Sequence, residues 1–362
     1  MRMGSKVKMT VQVGRVFNAC DYYRAYMPIR EMDEHDTIST RITNSFGLLD
    51  CWGADLILTY RPRDQAVLNM VEPARWLNCE VLADWDDDIF DIPASNYCAP
   101  NFSANDVRVS SEIAKRVASV TASTPRLASL LGQWNKKVTV IPNTVDWNMV
   151  QALTNGWNKP TKDYFHIVWA GTVTHVEDQE IVVNPIRELM KKYSDIRVTF
   201  FGWAYNKLIR EFPGRISYHP MVELFFYMKL LRDMNPDLVI QPLIDHSFNY
   251  SKSNIRWLEA GSLGVPVLAS DIPSFKTLGE DFCMTAAWDE HAWFEKMEWA
   301  YKNRDAAAKM GELSRKAIQK YWTIQTMWLA WNEYYYSVFG GSPVVKDFTP
   351  KMSVSDVTEE SE

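Results

Sequence analysis

Lys252, Arg256 and Glu259 stand at i, i+4 and i+7 within SKSNIRWLEAGSLGVPVLAS, residues 251–270. A helical reading places these two cations and one carboxylate on a single face. The start of that helix, Ser251 to Asn254 with Ser253 between, offers free backbone N–H groups beside the Lys252 ammonium, which suits a phosphate or diphosphate. Glu259, two turns on, suits the hydroxyls of a ribose. A solvated face on which Arg256 and Glu259 merely pair with each other fits the same spacing, so both readings stand at this point. The elements that must hold this face follow at once: Gly264 is a natural C-cap, and VPVLAS has the apolar, β-branched character of a parallel strand.

Two acidic and aromatic clusters lie far upstream. ADWDDDIFDIP, residues 83–93, sets Asp84, Asp86, Asp87 and Asp88 directly after a strand, where the crevice of an open parallel sheet forms. The run has the form of the DxD metal motif, but an acceptor-binding role, and Asp84 or Asp88 capping the next turn, are open to it as well. NACDYYRAYMPIR, residues 18–30, follows the first strand candidate, and its Tyr22, Tyr23 and Arg24 suit either gripping a substrate or packing inward. His175, in GTVTHVED, falls just past a glycine turn with Asp178 one helical turn on, as an active-site or a structural histidine. Asn143, in IPNTVD, shapes a turn.

The segments VTVIPNTVD (138–146) and HIVWAGTVTHVEDQEIVVNPIRELMKKYSDIRVTFFGW (166–203), taken with 251–270, resemble the retaining glycosyltransferases of the GT-B fold, the group that includes sucrose synthases and many mannosyl- and glucosyltransferases. The likeness extends from about residue 138 to 270 and is weaker before it. It implies that Glu259 contacts the donor ribose, that Gly171, Thr172 and Gly202 lie near the donor, that Ser253 and Asn254 belong to the donor site, and that Lys252 and Arg256, with His175, form the catalytic set. Ser251 stands where the family carries the first of two glutamates, and Thr172, Thr174 and His175 stand where it commonly has Arg and Lys. The chain is also similar to glycosyltransferases carried by bacteriophages, some of which modify hydroxymethylated DNA bases.

Strand-like and helix-like segments alternate, which argues for parallel sheets covered by helices. The expected fold is α/β, GT-B, with two Rossmann-like domains facing across a cleft and a C-terminal helix crossing back to the first. Strands are expected at VKMTVQVG, ADLILTY, CEVLADW, SVTASTP and KVTVIP, then at HIVWAG, RVTFFGW, RISYHP, DLVIQPL, VPVLAS and DFCMTA. The domains are expected at 1–147 (acceptor side), 163–318 (donor binding), 319–340 (the returning helix, part of a helical run over about 305–339) and 341–362 (a disordered acidic tail). The helix over 221–234 is amphipathic, its aromatics serving the core or a membrane surface.

A chain of 362 residues with 47% apolar content exceeds what one core organises. The 15 tryptophans serve as sugar platforms or as bulky core. No apolar run reaches the roughly 20 residues of a membrane span, and the basic start lacks a signal-peptide block. Five cysteines without CxxC spacing indicate neither a zinc knuckle nor a disulfide framework, which fits a reducing cytoplasm. Residues 1–150 carry 16 Lys plus Arg against 18 Asp plus Glu, no general basic face for DNA, although Arg61, Arg63 and Arg75 could form a local patch.

The function expected is transfer of a sugar from a UDP- or GDP-sugar to an acceptor hydroxyl, retaining and without a metal or other cofactor. The acceptor side is assigned to Tyr22, Tyr23, Arg24, Asp84, Asp86 and Asp87, and the acceptor is a hydroxymethylated base in DNA, a glycan or a small molecule. The alternatives are a metal-dependent enzyme using Asp84 to Asp88 and a non-catalytic sugar-nucleotide or nucleic-acid binding module.

Overall fold

Short β-branched and apolar runs form strands, and in the computed structural model, which describes residues 6–14 and 18–358, these build two all-parallel sheets of six. The first contains β1 (Val7–Gln12), β2 (Ile38–Thr43), β3 (Leu56–Tyr60), β4 (Glu80–Trp85), β5 (Ser119–Ala122) and β6 (Val138–Val140), in the order β2-β1-β3-β4-β5-β6. The second contains β7 (Phe165–Gly171), β8 (Ile196–Gly202), β9 (Ile216–Pro220), β10 (Leu238–Gln241), β11 (Val267–Ser270) and β12 (Met284–Ala286), in the order β12-β11-β10-β7-β8-β9. These are the two Rossmann-like units of a GT-B fold. Only β2, ISTRIT, was not foreseen, because it lies at the sheet edge with Ile38 alone fully buried, Ile42 exposed and the other side chains polar.

The strand orders fix where a ligand can sit. Doubly wound sheets open a crevice at the carboxyl ends of the two strands where the winding reverses. In the first sheet those strands are β1 and β3; in the second they are β7 and β10. The turns after these four strands face one another between the domains.

Trp85, Trp169, Trp257, Trp293 and Trp331 are each less than 2% exposed and belong to the core, whereas Trp52 and Trp76 are largely exposed. The helix expected over 221–234 runs from Leu224 to Met234 and buries Tyr227, Met228 and Leu231.

The C-terminal run differs from expectation in two ways. It is two helices, Arg304–Tyr321 and Ile324–Phe339, because Thr323 accepts a cap bond from the Thr326 N–H and the chain there pairs with Val145 of the interdomain linker. The second helix packs on the Met27–Glu34 helix of the first domain. The segment expected to be a disordered tail is ordered as far as Thr358; residues 359–362 lie outside the described ones. Val140 of β6 donates to Lys346 O (2.8 Å) and accepts from Phe348 N–H (3.0 Å). The short helix Val354–Thr358 then inserts Val357, 5% exposed, into the second domain's core. The polar composition concealed Val344, Phe348 and Val357, apolar residues spaced so that the strap fastens to both domains.

At the head of β7, His166 is buried, its Nδ1 3.1 Å from Met234 O and its Nε2 2.7 Å from Thr199 Oγ1. Burial lowers its pKa from 6.5 to about 4. The unfolded chain therefore binds this proton more readily than the folded one. The stability is present above about pH 6.5 and is lost as pH falls toward 4, about 3 kcal/mol over the whole window. Denaturant unfolding from pH 7 to 4 should show that acid-linked loss in the wild type and a flatter slope in His166→Gln.

Candidate active site

After β1, Asn18 accepts hydrogen bonds from the Cys20 and Asp21 amides and starts a helix that widens into a π-turn over Tyr22–Tyr26. Such turns recur at functional sites. Here the turn sends Tyr23 and Arg24 inward in different directions. Arg24 is 1% exposed and grips Asp84, 0% exposed, through two bonds, Nε to Oδ2 at 3.0 Å and Nη2 to Oδ1 at 2.6 Å. Its Nη1 donates to Ile141 O (2.7 Å) and Asn143 Oδ1 (3.2 Å), and its guanidinium lies over the Trp331 ring. Thr121 completes Asp84. Arg24 and Asp84, expected on the acceptor side, thus form a closed, buried ion pair beneath the cleft and do not line it. Tyr22 turns to the linker instead, donating to Asp146 Oδ2 at 3.1 Å beside Arg30.

Tyr23 reaches the second domain. Its hydroxyl donates to Glu259 Oε1 at 3.0 Å, and Arg256 Nη1 donates to Glu259 Oε2 at 2.6 Å. Arg256 is otherwise occupied by Tyr227 Oη, Ala170 O (2.9 Å) and Gln241 Oε1 (3.2 Å). It orients Glu259, and with four of its donors engaged inside the second domain it still lines the cleft. Burial raises the Glu259 carboxyl above its ordinary value, outweighing Arg256 and the hydrogen bonds.

Across the cleft, Arg61 has a left-handed backbone (φ 41°), uncommon for a non-glycine residue. It pairs with Asp86 and, at 2.9 Å, with Asp87. Asp87 also meets Lys252 Nζ at 3.3 Å, a salt bridge between the domains. Burial works to raise the Asp87 carboxyl, but Lys252 and Arg61 prevail and hold it below the usual range. Asp88 caps the turn through Phe90 N–H at 3.0 Å. Among the described residues no group of three or more potential ligands is placed to hold a metal ion. Arg63 lies over Phe102 and Arg75 pairs with Glu72, so the three arginines build no shared basic patch.

Lys252 is not on the helix it was expected to open, which begins at Ile255; it belongs to the preceding turn. Ser253 Oγ accepts from Asn143 Nδ2 at 2.8 Å, another bond between the domains. Asn254 lines a different cavity, described below. His175 Nδ1 is 2.7 Å from Asp178 Oδ2, and Asp178 also accepts from Ile244 N–H (2.8 Å) and Asn249 Nδ2 (3.0 Å). Burial opposes ionisation of Asp178, but His175 and these donors outweigh it and lower its pKa.

The glycines at the ends of β7 and β8 are required by contact. A Cβ on Gly171 would stand 2.6 Å from the Trp169 indole, and one on Gly202 would stand 2.4 Å from Gly171 O. Thr172 caps the turn that follows through Thr174 N–H. The result is a cleft of about 210 Å³ lined by Cys20, Tyr23, Asp87, His175, Lys252 and Glu259, between the reversal points of both sheets. Burial pushes the Cys20 thiol up to about 12, so it is no thiolate nucleophile. Sequence reasoning missed Tyr227 and Gln241, whose roles come from partners remote in sequence.

No family model and no curated protein matches the chain. Solved structures do. Sucrose-phosphate synthase from Thermosynechococcus elongatus matches with a TM-score of 0.68 at 12% identity, over 93% of this chain and 100% of that one. HepE from Anabaena, in complex with UDP and glucose, matches at 0.66 and 14%, over 92% and 100%. A putative UDP-N-acetylglucosamine 2-epimerase from Listeria monocytogenes matches at 0.59 and 12%, over 96% and 100%. At these identities the likeness shows the fold.

Proposed function

We propose that the chain is a glycosyltransferase that draws on a nucleotide-sugar, UDP- or GDP-linked, and acts in the cleft between its domains. One observation carries this reading. In the closed cleft a hydroxyl, that of Tyr23, rests on Glu259, and an anion, Asp87, rests on Lys252. A ribose and a diphosphate would present the same two groups to the same two side chains. The UDP bound to HepE supports the donor class by analogy.

In this mechanism Lys252 stabilises the charge that develops on the departing diphosphate, and Arg256 holds Glu259 for the ribose. His175, oriented by Asp178, binds a hydroxyl of the donor or acceptor sugar. The acceptor attacks from the face the nucleotide leaves, with retention, and needs no enzymic nucleophile. The pairing of Arg61 and Arg75 within the domain favours a glycan or small hydroxyl compound over duplex DNA. Transfer rates that drop steeply with added salt would instead point to DNA.

A panel of UDP- and GDP-sugars, read by thermal stabilisation and by release of the nucleotide, tests the assignment. One nucleotide should raise the melting temperature, and turnover should persist in excess EDTA. Abolition by EDTA with rescue by manganese would favour the metal-dependent reading. The 2-epimerase likeness supplies a second reading, recognised by an epimerised sugar product without transfer.

Asp87 competes with the diphosphate for Lys252 in this reading. Asp87→Asn should therefore tighten UDP binding about fivefold, corresponding to about 1 kcal/mol for a partly screened pair. Titration calorimetry giving an unchanged or weaker affinity would refute the competition.

A further inference from the structure

A second cavity, of about 480 Å³, lies on the hinge side of the molecule, where the interdomain linker, the returning chain and the C-terminal strap meet. Its walls include Pro125 and Pro142 of the first domain, Leu278 of the second, and Trp322 at the return. It abuts the cleft through the turn at 250–255: Asn254 lines this cavity, whereas Lys252, Ser253 and Ile255 line the cleft.

The cavity carries polar groups with nothing to bond. Asn254 is 3% exposed, and its Nδ2 has no hydrogen-bond partner among the described residues. Ser274 Oγ and Thr349 Oγ1, on half-buried residues of the second domain and the strap, are likewise unpartnered among the described residues. A buried donor left unmade costs about 1 to 3 kcal/mol, a cost that a polar ligand would relieve once these side chains turn toward it. The volume matches that of small-molecule sites, mostly apolar with a few convergent polar groups. At the rim, Arg126 and Lys351 form no ion pair among the described residues, against one carboxylate, Asp347, already bonded to Thr349 N–H.

We propose that this hinge-side cavity is a second ligand site, for a small amphipathic anion. Its apolar ring or chain lies among Pro125, Pro142, Leu278 and Trp322, its polar atoms meet Asn254, Ser274 and Thr349, and its acid group faces Arg126 and Lys351. The site is independent of what the cleft binds. Because Asn254 directly precedes the helix that carries Glu259, an occupant holds that helix from behind.

The test uses 8-anilinonaphthalene-1-sulfonate, an apolar ring system with a fixed negative charge, titrated into the full chain. Its fluorescence should rise to saturation near one equivalent. Ser274→Trp, which fills the cavity, should weaken binding more than tenfold, and the exposed pair Arg126→Glu with Lys351→Glu should do so without touching the core. Lys252→Ala and Glu259→Gln, in the cleft, should leave the dye's affinity unchanged. The proposal is overturned by the absence of saturable enhancement, by full affinity in either the filled or the charge-reversed protein, or by loss of affinity in the cleft variants.

Discussion

Glu259→Gln should lower nucleotide affinity about ten- to a hundredfold, the largest functional effect expected of any single change in the cleft. The substitution keeps the shape of the side chain and removes its charge. The lost interaction is a charged hydrogen bond in a buried setting, about 1.5 to 3 kcal/mol. In the closed protein that carboxylate already accepts from Tyr23 at 3.0 Å and from Arg256 at 2.6 Å, so it is held ready for a hydroxyl. The pH dependence carries the same signature. Burial raises the Glu259 pKa, so the carboxyl takes up its proton at a higher pH than an ordinary glutamate. Nucleotide affinity in the wild type should fall as pH is lowered through that raised value, and the glutamine protein should lack this step. Calorimetric titration with UDP and GDP decides: equal affinity in the two proteins at neutral pH removes Glu259 from the site.

Arg24→Ala should destabilise the first domain by about 3 to 5 kcal/mol, because it leaves Asp84 charged, buried and unpaired. Arg24 is 1% exposed and makes two bonds to Asp84 in addition to those to Ile141 and Asn143. Lysine cannot reproduce the two parallel bonds, so Arg24→Lys should recover little. The apolar pair Arg24→Met with Asp84→Leu should recover much of the stability, since replacing both partners removes the cost of burying charge. Denaturant titration of these proteins separates the outcomes. An Arg24→Ala protein as stable as wild type but impaired in transfer would return Arg24 to the acceptor site.

Most of the fold was legible in the sequence because buried parallel strands read as apolar runs. β2 and the C-terminal strap escaped because each holds its place with one or a few apolar residues in a polar stretch. Lys252 and Glu259 were legible as chemistry, and both line the cleft. Arg24 and Asp84 looked identical in sequence to cleft residues, since strand-end position does not say which way a side chain turns. That was decided by the π-turn at Tyr22–Tyr26 and by Trp331, whose ring covers Arg24 from the far end of the chain. Arg256 was legible both as a cation for a diphosphate and as a partner of Glu259, and the Glu259 pair is formed at 2.6 Å. Its ligands Tyr227, Gln241 and Ala170 come from separate elements that only the folded sheet brings together.

The strap that pairs with β6 and buries Val357 in the second domain has a mechanical consequence. The linker at Val145, the returning chain at Thr323 and the strap run close together, with Val145 and Thr323 paired and Trp322 Nε1 donating to Met352 Sδ at 3.0 Å. The halves are therefore bound like a book along its spine, while Asp87–Lys252 and Tyr23–Glu259 act as clasps between the covers. Such a binding leaves one easy motion, rotation about the spine, and resists twisting or sliding of one half over the other. Any opening of the covers would require the clasps to part while the spine stays sewn.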